Sequence, residues 1–367
     1  MKVLAIETSC DDTSLAIVKS TADGIFCEAM VAFHQIELHE SYGGVVPELA
    51  SREHLVQIIP VLYDLCYRVT GGYDMDVLMD GVDSIVVTHT PGLPGSLIMG
   101  RSTALFLSCW YKKPYQYINH LHGHIFSRFL DRRNIDSKKS LILSVSGGHS
   151  DLSILSKVDK KNTTSSVNID SFVGLYKIQK IASTRDDAIG EVFDKVSRLL
   201  GGPYPGGVWI SRQAEHYDAD LLSENYPFVQ EKFKRILLDG TYDFSFSGMK
   251  SQAYNFITTY RRELGLSEED LLPPEIISYL AYEFQQAAAE ILTRRILQLV
   301  QEENIGTVAL VGGVSANTTI RETIQSHLHE YEQTTGKKVE FYTPLIFDYC
   351  TDNAAMIGAV GLLSMSS

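Results

Sequence analysis

LAIETSCDDTSLAIV fills residues 4–18, and LILSVSGGHSDLSIL fills residues 141–155. Each is an apolar run, then a loop of small or acidic residues, then a second run of alternating apolar residues. That is the pattern of a β-turn-β unit. The loops are built from Ser, Thr, Asp and Gly, whose backbone N–H groups and hydroxyls suit a phosphate. Two such units, about 137 residues apart, predict two lobes of similar topology with a cleft between them. Two unrelated hairpins are the alternative that this pair of stretches leaves open.

Outward from these units the signals alternate. Residues 46–68 carry helical apolar spacing through Leu49, Leu55, Ile58, Ile59, Leu62 and Leu65. DSIVVTH (83–89) predicts a buried strand, and PGLPGSLIMG (91–100) a glycine turn that becomes a helix from Gly95. Residues 116–119 predict a short strand. The polar stretch 157–184, with KKNTTSS at 160–166, predicts an extended hairpin or loop insertion. FSFSGMKS (244–251) predicts a strand whose two Phe face the core. Helices are predicted at 187–200, 274–302 and 352–363, and strands at 307–311 and 339–342. Strands alternating with helices predict an α/β architecture.

Composition narrows the function. The chain has 367 residues, 44% of them apolar and 21% charged, which is ordinary globular usage with room for two lobes. No apolar run approaches a membrane span. The start, MKVLAIETSC, lacks the pattern of a secretory signal or a transit peptide. A soluble, cytoplasmic chain is expected, with an organellar matrix as the variant if a presequence has been removed. Five scattered cysteines without a CxxC read as free thiols in a reducing compartment. A net charge of −13 argues against indiscriminate nucleic-acid binding, which depends on neutralising phosphates. A nucleic-acid substrate needs a local basic patch or a basic partner. The basic pairs Lys112-Lys113, Arg132-Arg133, Lys138-Lys139 and Lys160-Lys161 are more simply solvated faces.

Several short stretches carry candidate chemistry. NHLHGHIF (119–126) holds His120, His122 and His124. On a helix, His120 and His124 share a face and His122 does not. The pair is HxxxH, and the Glu that serves as base in a HExxH protease is missing. Core or capping histidines are the plain alternative. VGGVSAN (311–317) follows a strand and leads into a helix at Asn317, a place where a backbone receives anions. In YCTDNAAM (349–356), Thr351 or Asp352 is a candidate helix cap, and Asp352 is also a candidate third metal ligand. Two His and one carboxylate suit Fe or Zn with positions left open. In DDAIGEVFDK (186–195), Asp187, Glu191 and Asp194 predict one acidic stripe, either solvated or holding a ribose.

The ordered set ETSCDDT, YGGVVPELASREH, PGLPGSL, HLHGH, VSGGH, GEVFDK, YPGG, FSFSGMK, GGVSAN and CTDNAAM spans residues 7–356. It resembles the TsaD family, the tRNA threonylcarbamoyladenosine transferases, and more its bacterial and organellar branch than its archaeal one. The resemblance implies the bilobed α/β fold of actin, Hsp70 and sugar kinases, with duplicated lobes. The expected lobes are 1–125, closed by a C-terminal helical segment 345–367, and 126–344. The implied reaction moves threonylcarbamoyl from threonylcarbamoyl-AMP to N6 of the adenosine beside the anticodon, in tRNAs reading codons that begin with A.

Residue by residue, the resemblance implies that His120, His124 and Asp352 hold one divalent metal ion, Fe²⁺ first and Zn²⁺ second. Ser144, Val145, Ser146, Gly147, Gly148, Asp194, Gly207 and Asn317 would bind the adenylate. Ser211 stands where many members have Asp, so a ribose contact there is a weaker inference. Glu7, Asp11 and Asp12 are the candidate catalytic bases. Implied partners are a TsaB-like paralogue docking on the N-terminal lobe and a TsaE-like ATPase, with a homodimer as the organellar alternative and no membrane. Thr90 precedes Pro91-Gly92 where Gly is common, and His122 stands where Glu is common. The family's basic tail does not follow Ser367, so weaker tRNA affinity is expected. A metalloprotease, an actin-like ATPase or small-molecule kinase, and a non-catalytic paralogue are the competing readings. The missing base, the paired histidines and the intact ligand set weigh against each in turn.

Overall fold

The structure, a computed structural model, describes residues 1–133, 139–158 and 170–365. Lys138, Lys160, Lys161, the KKNTTSS run and the last two residues of the closing segment lie outside them. The chain divides into two compact units. Unit 1 is Met1–Lys139, Leu155–Gln179 and Tyr342–Ser367, and unit 2 is Ser140–Ile154 and Lys180–Phe341.

The first part of the chain forms β1 (Lys2–Glu7), β2 (Asp12–Ser20), β3 (Gly24–His34), α1 (Ile36–Glu40), α2 (Pro47–Thr70) and α3 (Met75–Asp80). It continues with β4 (Ser84–Thr90), α4 (Pro94–Tyr111), β5 (Tyr115–Asn119), α5 (His120–Ser127) and β6 (Arg132–Arg133). Then come β7 (Ser140–Val145), β8 (Ser150–Lys157), β9 (Asp170–Val173), β10 (Tyr176–Ser183), α6 (Ile189–Leu199), α7 (Gly206–Glu215), α8 (Ala219–Asn225) and α9 (Ser247–Leu264). The chain ends with α10 (Pro274–Glu302), β11 (Thr307–Val311), α11 (Thr318–Thr335), β12 (Glu340–Tyr342) and α12 (Ala354–Met365).

Two six-stranded sheets have the orders β5-β4-β1-β2-β3-β6 and β12-β11-β7-β8-β10-β9. The two orders correspond strand by strand. β1 and β2 pair antiparallel with Glu7 opposite Ser14, and β4 runs parallel to β1. β11 likewise runs parallel to β7. The two quoted hairpins are therefore equivalent members of a repeated sheet.

In unit 1 the β1 and β2 residues Val3–Ile6 and Leu15–Val18 are fully buried, because helices cover both faces of this sheet. α12 lies on one face and packs close because it is small-sided. A Cβ on Gly358 would run into Val18, and one on Gly361 into Val86. Gly123 of α5 does the same for α12, since a Cβ there would stand 2.9 Å from both Met356 and Ile357. These three glycines bring the start of α12 beside α5.

α2 begins with Pro47 in its first turn and ends at Gly71 in the left-handed conformation, whose N–H donates to Tyr67 O. Ala50, Ile58, Val61, Leu62 and Leu65 of this helix are buried. Leu55 and Ile59, expected on the core side, are instead exposed. They share the outer surface with Val56, Tyr63 and Tyr67, and with Phe106 and Trp110 of α4, all between 46% and 69% exposed.

In unit 2 a separate core gathers Leu141, Leu143, Val145, Phe193, Phe284 and Ile320. FSFSGMKS forms no strand. Phe244 makes an isolated bridge to Thr184, and α9 begins at Ser247. Asp186 is the cause. Its carboxylate accepts from the N–H groups of Phe246 and Ser247 and from the hydroxyls of Ser245 and Ser247, so these donors cap a helix and do not join a ladder. Phe244 and Phe246 are core, as expected, and stack at 5.4 Å.

Candidate functional site

The histidine segment is a helix because Asn119 caps it, accepting from the N–H groups of Leu121 and His122. The i, i+4 spacing then puts His120 and His124 on one face, ring centroids 4.8 Å apart and edge to face. Asp352 comes to them from the segment before α12. Its Oδ1 stands 3.1 Å from His124 Nε2 and 3.5 Å from His120 Nε2. One ligand atom from each of the three residues lies within 4.8 Å of the others. Ligand atoms about 2.1 Å from a shared ion stand about 3–4 Å apart, so the set is close to a coordination shell.

The chemistry of the donors fits a cation. His124 is 1% exposed, and neither of its ring nitrogens has a hydrogen-bond partner, which is costly unless something else occupies them. Asn353 caps α12, its Oδ1 accepting from Met356 N–H at 2.9 Å. Ser14 Oγ accepts from Ala354 N–H. Burial opposes a charge on His120, but the carboxylates of Asp352 and Glu7 outweigh it and push its pKa up, so the pocket favours positive charge beside the ring. His122 points away from this face. It meets Ser171 Oγ at 3.0 Å, and burial pushes its pKa down to about 4.

The three candidate bases take different places. Glu7 is fully buried at the end of β1, and both its oxygens accept hydrogen bonds. Asp11 lies on the following loop and Asp12 opens β2, both partly exposed. Asp12 Oδ1 lies 2.8 Å from His34 Nδ1. Burial raises Asp12 to about 6; His34 opposes the rise, and the negative charges of Asp11 and Asp352 add to it. His34 carried no signal in the sequence beyond its residue type.

In unit 2, Ser144–Gly148 runs off the end of β7. Val145 faces the core, so it has only its backbone to offer a ligand. Ser146 closes a turn with His149: its N–H donates to His149 O at 2.8 Å, and its Oγ accepts from His149 N–H at 3.2 Å. Gly147 and Gly148 are exposed, with nothing within 4 Å of where a Cβ would stand. The loop is held from below by two glycines. A Cβ on Gly190 would stand 2.5 Å from Ser146 O, and Gly312, at φ +87°, packs against the Val145 backbone.

Asp194 does not form one stripe with Asp187 and Glu191. Those two pair with Lys195 at 2.7 and 2.8 Å. Asp194 turns inward, and its Oδ1 accepts from Gly206 N–H at 2.6 Å. Helix α6 starts only at Ile189, so Asp187 is outside the helical register. Burial raises the Asp194 pKa to about 6, with the Gly206 N–H opposing and Glu191 adding. Gly207 is the second residue of α7, again with no neighbour where a Cβ would stand. Asn317 caps α11 through Oδ1 and donates from Nδ2 to Ser211 Oγ at 3.0 Å and Gln285 Oε1 at 2.7 Å. Gln285 is the member sequence reasoning missed. It sits mid-way along α10, with nothing in its spacing to mark it.

A sequence profile of the family described as TsaD, tRNA N6-adenosine threonylcarbamoyltransferase, matches residues 27–359. The protein of that name from Caldicellulosiruptor saccharolyticus is 38% identical over 367 residues, covering 100% of this chain and 93% of its own length. One from Prochlorococcus marinus strain AS9601 is 37% identical over 364 residues, covering 98% and 90%. Among solved structures, T. kodakarensis HypF matches with a TM-score of 0.58 over 100% of this chain and 48% of its own, at 12% identity. That likeness is one of fold alone, and the fold is of the actin, Hsp70 and sugar-kinase class.

Proposed function

The chain belongs to the TsaD family of tRNA N6-adenosine threonylcarbamoyltransferases, and from that membership we propose how its residues divide the work. The enzyme transfers the threonylcarbamoyl group from threonylcarbamoyl-AMP to N6 of the adenosine 3′ of the anticodon, in tRNAs reading codons that begin with A. The N6 nitrogen forms a bond to the carbamoyl carbon, and the bond from that carbon to the phosphate oxygen breaks. AMP leaves with the bond's electron pair, and the amine loses one proton to a base. The donor is already activated, so no covalent enzyme nucleophile is required.

His120, His124 and Asp352 hold one divalent ion, Fe²⁺ in first place and Zn²⁺ in second. The observation that carries this is the buried His124, whose ring nitrogens make no hydrogen bond and whose Nε2 stands 3.1 Å from Asp352 Oδ1. A bound ion supplies orientation and charge neutralisation for the donor's phosphate. The Ser144–Gly148 loop receives the adenylate phosphate on its backbone, helped by the open space over Gly147 and Gly148. Asp194, Gly207, Ser211 and Asn317 bind the nucleoside, with Gln285 fixing the last two. Of the candidate bases, Asp12 is favoured over Glu7. Its carboxyl is poised near 6, close to working pH, and it is partly exposed, whereas both Glu7 oxygens are engaged. Asp11 is the neighbouring alternative.

The exposed apolar face of α2 and α4 fits docking of a TsaB-like paralogue, since a patch of Leu, Val, Ile and aromatic residues is left uncovered by its own unit. A TsaE-like ATPase completes the partner set. No helix among the described residues is long and apolar enough to cross a membrane, and we assign the enzyme to the cytoplasm or an organellar matrix, where tRNA is found. Nucleoside mass spectrometry tests the reading. Unmodified tRNA and threonylcarbamoyl-AMP are incubated with the protein and its partners. Threonylcarbamoyladenosine is expected with the wild type and not with His124→Ala. Equal product from both would remove the triad from the reaction.

A further inference from the structure

We propose that Glu7 is a positioning residue for the metal centre, fixing the His120 ring with its proton on Nδ1 and the lone pair of Nε2 turned to Asp352. This rests on the reading that His120, His124 and Asp352 hold a divalent ion.

Glu7 is a fully buried carboxylate whose hydrogen-bonding capacity is used by named donors. Oε1 accepts from Ser9 N–H at 2.5 Å. Oε2 accepts from the Thr88 hydroxyl and lies 3.2 Å from His120 Nδ1. Ser9 Oγ also lies 3.1 Å from Nδ1. A neutral imidazole carries a proton on one nitrogen and a lone pair on the other. A Ser hydroxyl accepts either arrangement, because it can donate or accept. Both Glu7 oxygens already accept from Ser9 N–H and the Thr88 hydroxyl, so toward Nδ1 the carboxyl group presents an acceptor and selects the ring with Nδ1 protonated. Nε2 then presents its lone pair on the side of Asp352, where a metal ligand must have one.

The segment around Glu7 is itself locked. Leu93 N–H donates to Ser9 O at 2.7 Å, and the Thr8 hydroxyl donates to Ser96 O at 2.8 Å. A Cβ on Gly92 would stand 2.6 Å from Ser9 O, and one on Gly100 would stand 2.5 Å from Thr8 Oγ1. The glycines of PGLPGSLIMG therefore let this turn close over Thr8 and Ser9. The turn holds Glu7, and Glu7 holds His120. This gives both motifs a part in the metal centre although neither supplies a ligand.

Glu7→Gln is the discriminating variant. Its oxygen must stay on Ser9 N–H, because an amide NH₂ there would face another donor. The NH₂ is then left toward Thr88 and His120 Nδ1. A donor at Nδ1 drives the ring proton to Nε2, where it blocks the metal. Zn²⁺ affinity of the full chain, measured by chelator competition, is expected to fall about 10–100-fold in Glu7→Gln. His124→Ala should lose at least as much, and Ser9→Ala should stay within about threefold, the carboxylate alone sufficing to hold the ring. Zn²⁺ binding within twofold of wild type in Glu7→Gln, while His124→Ala loses it, overturns the role of Glu7. Unchanged binding in His124→Ala as well overturns the metal reading itself. Should Glu7→Gln not fold, long-range ¹H–¹⁵N spectra of the wild-type Zn²⁺ form decide the matter. A proton on His120 Nδ1 is expected, and a proton on Nε2 refutes the proposal.

Discussion

Replacing Asp194 with Asn should make the unliganded protein more stable at neutral pH and a poorer binder of adenylate. The argument starts from the carboxyl's surroundings. It is mostly buried, receives one N–H from Gly206, and burial raises its pKa from 3.8 to about 6. At about 1.4 kcal/mol per pH unit, ionising it in the folded state costs about 3 kcal/mol more than in the unfolded chain. The sign follows from the raised value. Below about pH 4 the group is protonated in both states and there is no cost. Between there and about pH 6 the unfolded chain releases its proton first, and stability falls. Above pH 6 the full cost is present. Asn keeps an oxygen for Gly206 N–H and never ionises. Urea denaturation of both proteins from pH 4 to pH 8 is therefore expected to show near-equal stability at pH 4. At pH 7 the Asn variant should lead by up to about 3 kcal/mol. A ligand hydroxyl donating to the carboxylate repays part of this cost in the wild type. AMP binding near pH 6 should accordingly release a proton, seen as a buffer-dependent heat, and should weaken about 10–100-fold in the variant. A stability difference that is the same at pH 4 and pH 7, or a variant less stable at pH 7, would refute the reasoning.

Asn353→Ala should lower stability by about 1 kcal/mol through loss of the α12 cap, and weaken metal binding by loosening Asp352 next to it; thermal unfolding and metal titration read the two effects. Gly190→Ala places a Cβ 2.5 Å from Ser146 O, so the loop must move. A cost of about 1–3 kcal/mol in urea and at least a tenfold loss of AMP affinity are expected. His122→Ala should keep one metal per chain by elemental analysis, where His124→Ala loses it, because His122 turns to Ser171 and away from the triad. Leu55→Asp combined with Phe106→Asp should leave the fold intact by circular dichroism, since both are exposed, and abolish the complex with a TsaB-like paralogue in gel filtration.

What the sequence disclosed follows from how local each feature is. The HxxxH spacing needs only helix geometry, so His120 and His124 could be paired from letters alone. β11 and α10 appear at 307–311 and 274–302, as their apolar patterns predict, because each is buried along its length. Asp352 and Asn353 are both capping types in adjacent places. Only the approach of α12 to α5, permitted by Gly123, decides that Asn353 caps and Asp352 faces the histidines. Leu55 and Ile59 fit a helical period but lie outward, since the period does not say which apolar residues the unit itself covers. Asp186 outcompeted the strand pattern of FSFSG with a single carboxylate 58 residues earlier in the chain than Phe244, a distance no local pattern records. Gln285 was invisible for the same reason: its partners Ser211 and Asn317 come from two other helices.

The central claim is that one ion sits among His120, His124 and Asp352. Anomalous diffraction at the iron edge, from crystals of Fe²⁺-loaded and catalytically active protein, tests it most directly. The account predicts one peak per chain, about 2.0–2.2 Å from Nε2 of His120, Nε2 of His124 and a carboxylate oxygen of Asp352. A peak held by other residues, or full activity in protein whose crystals show no peak there, would contradict it.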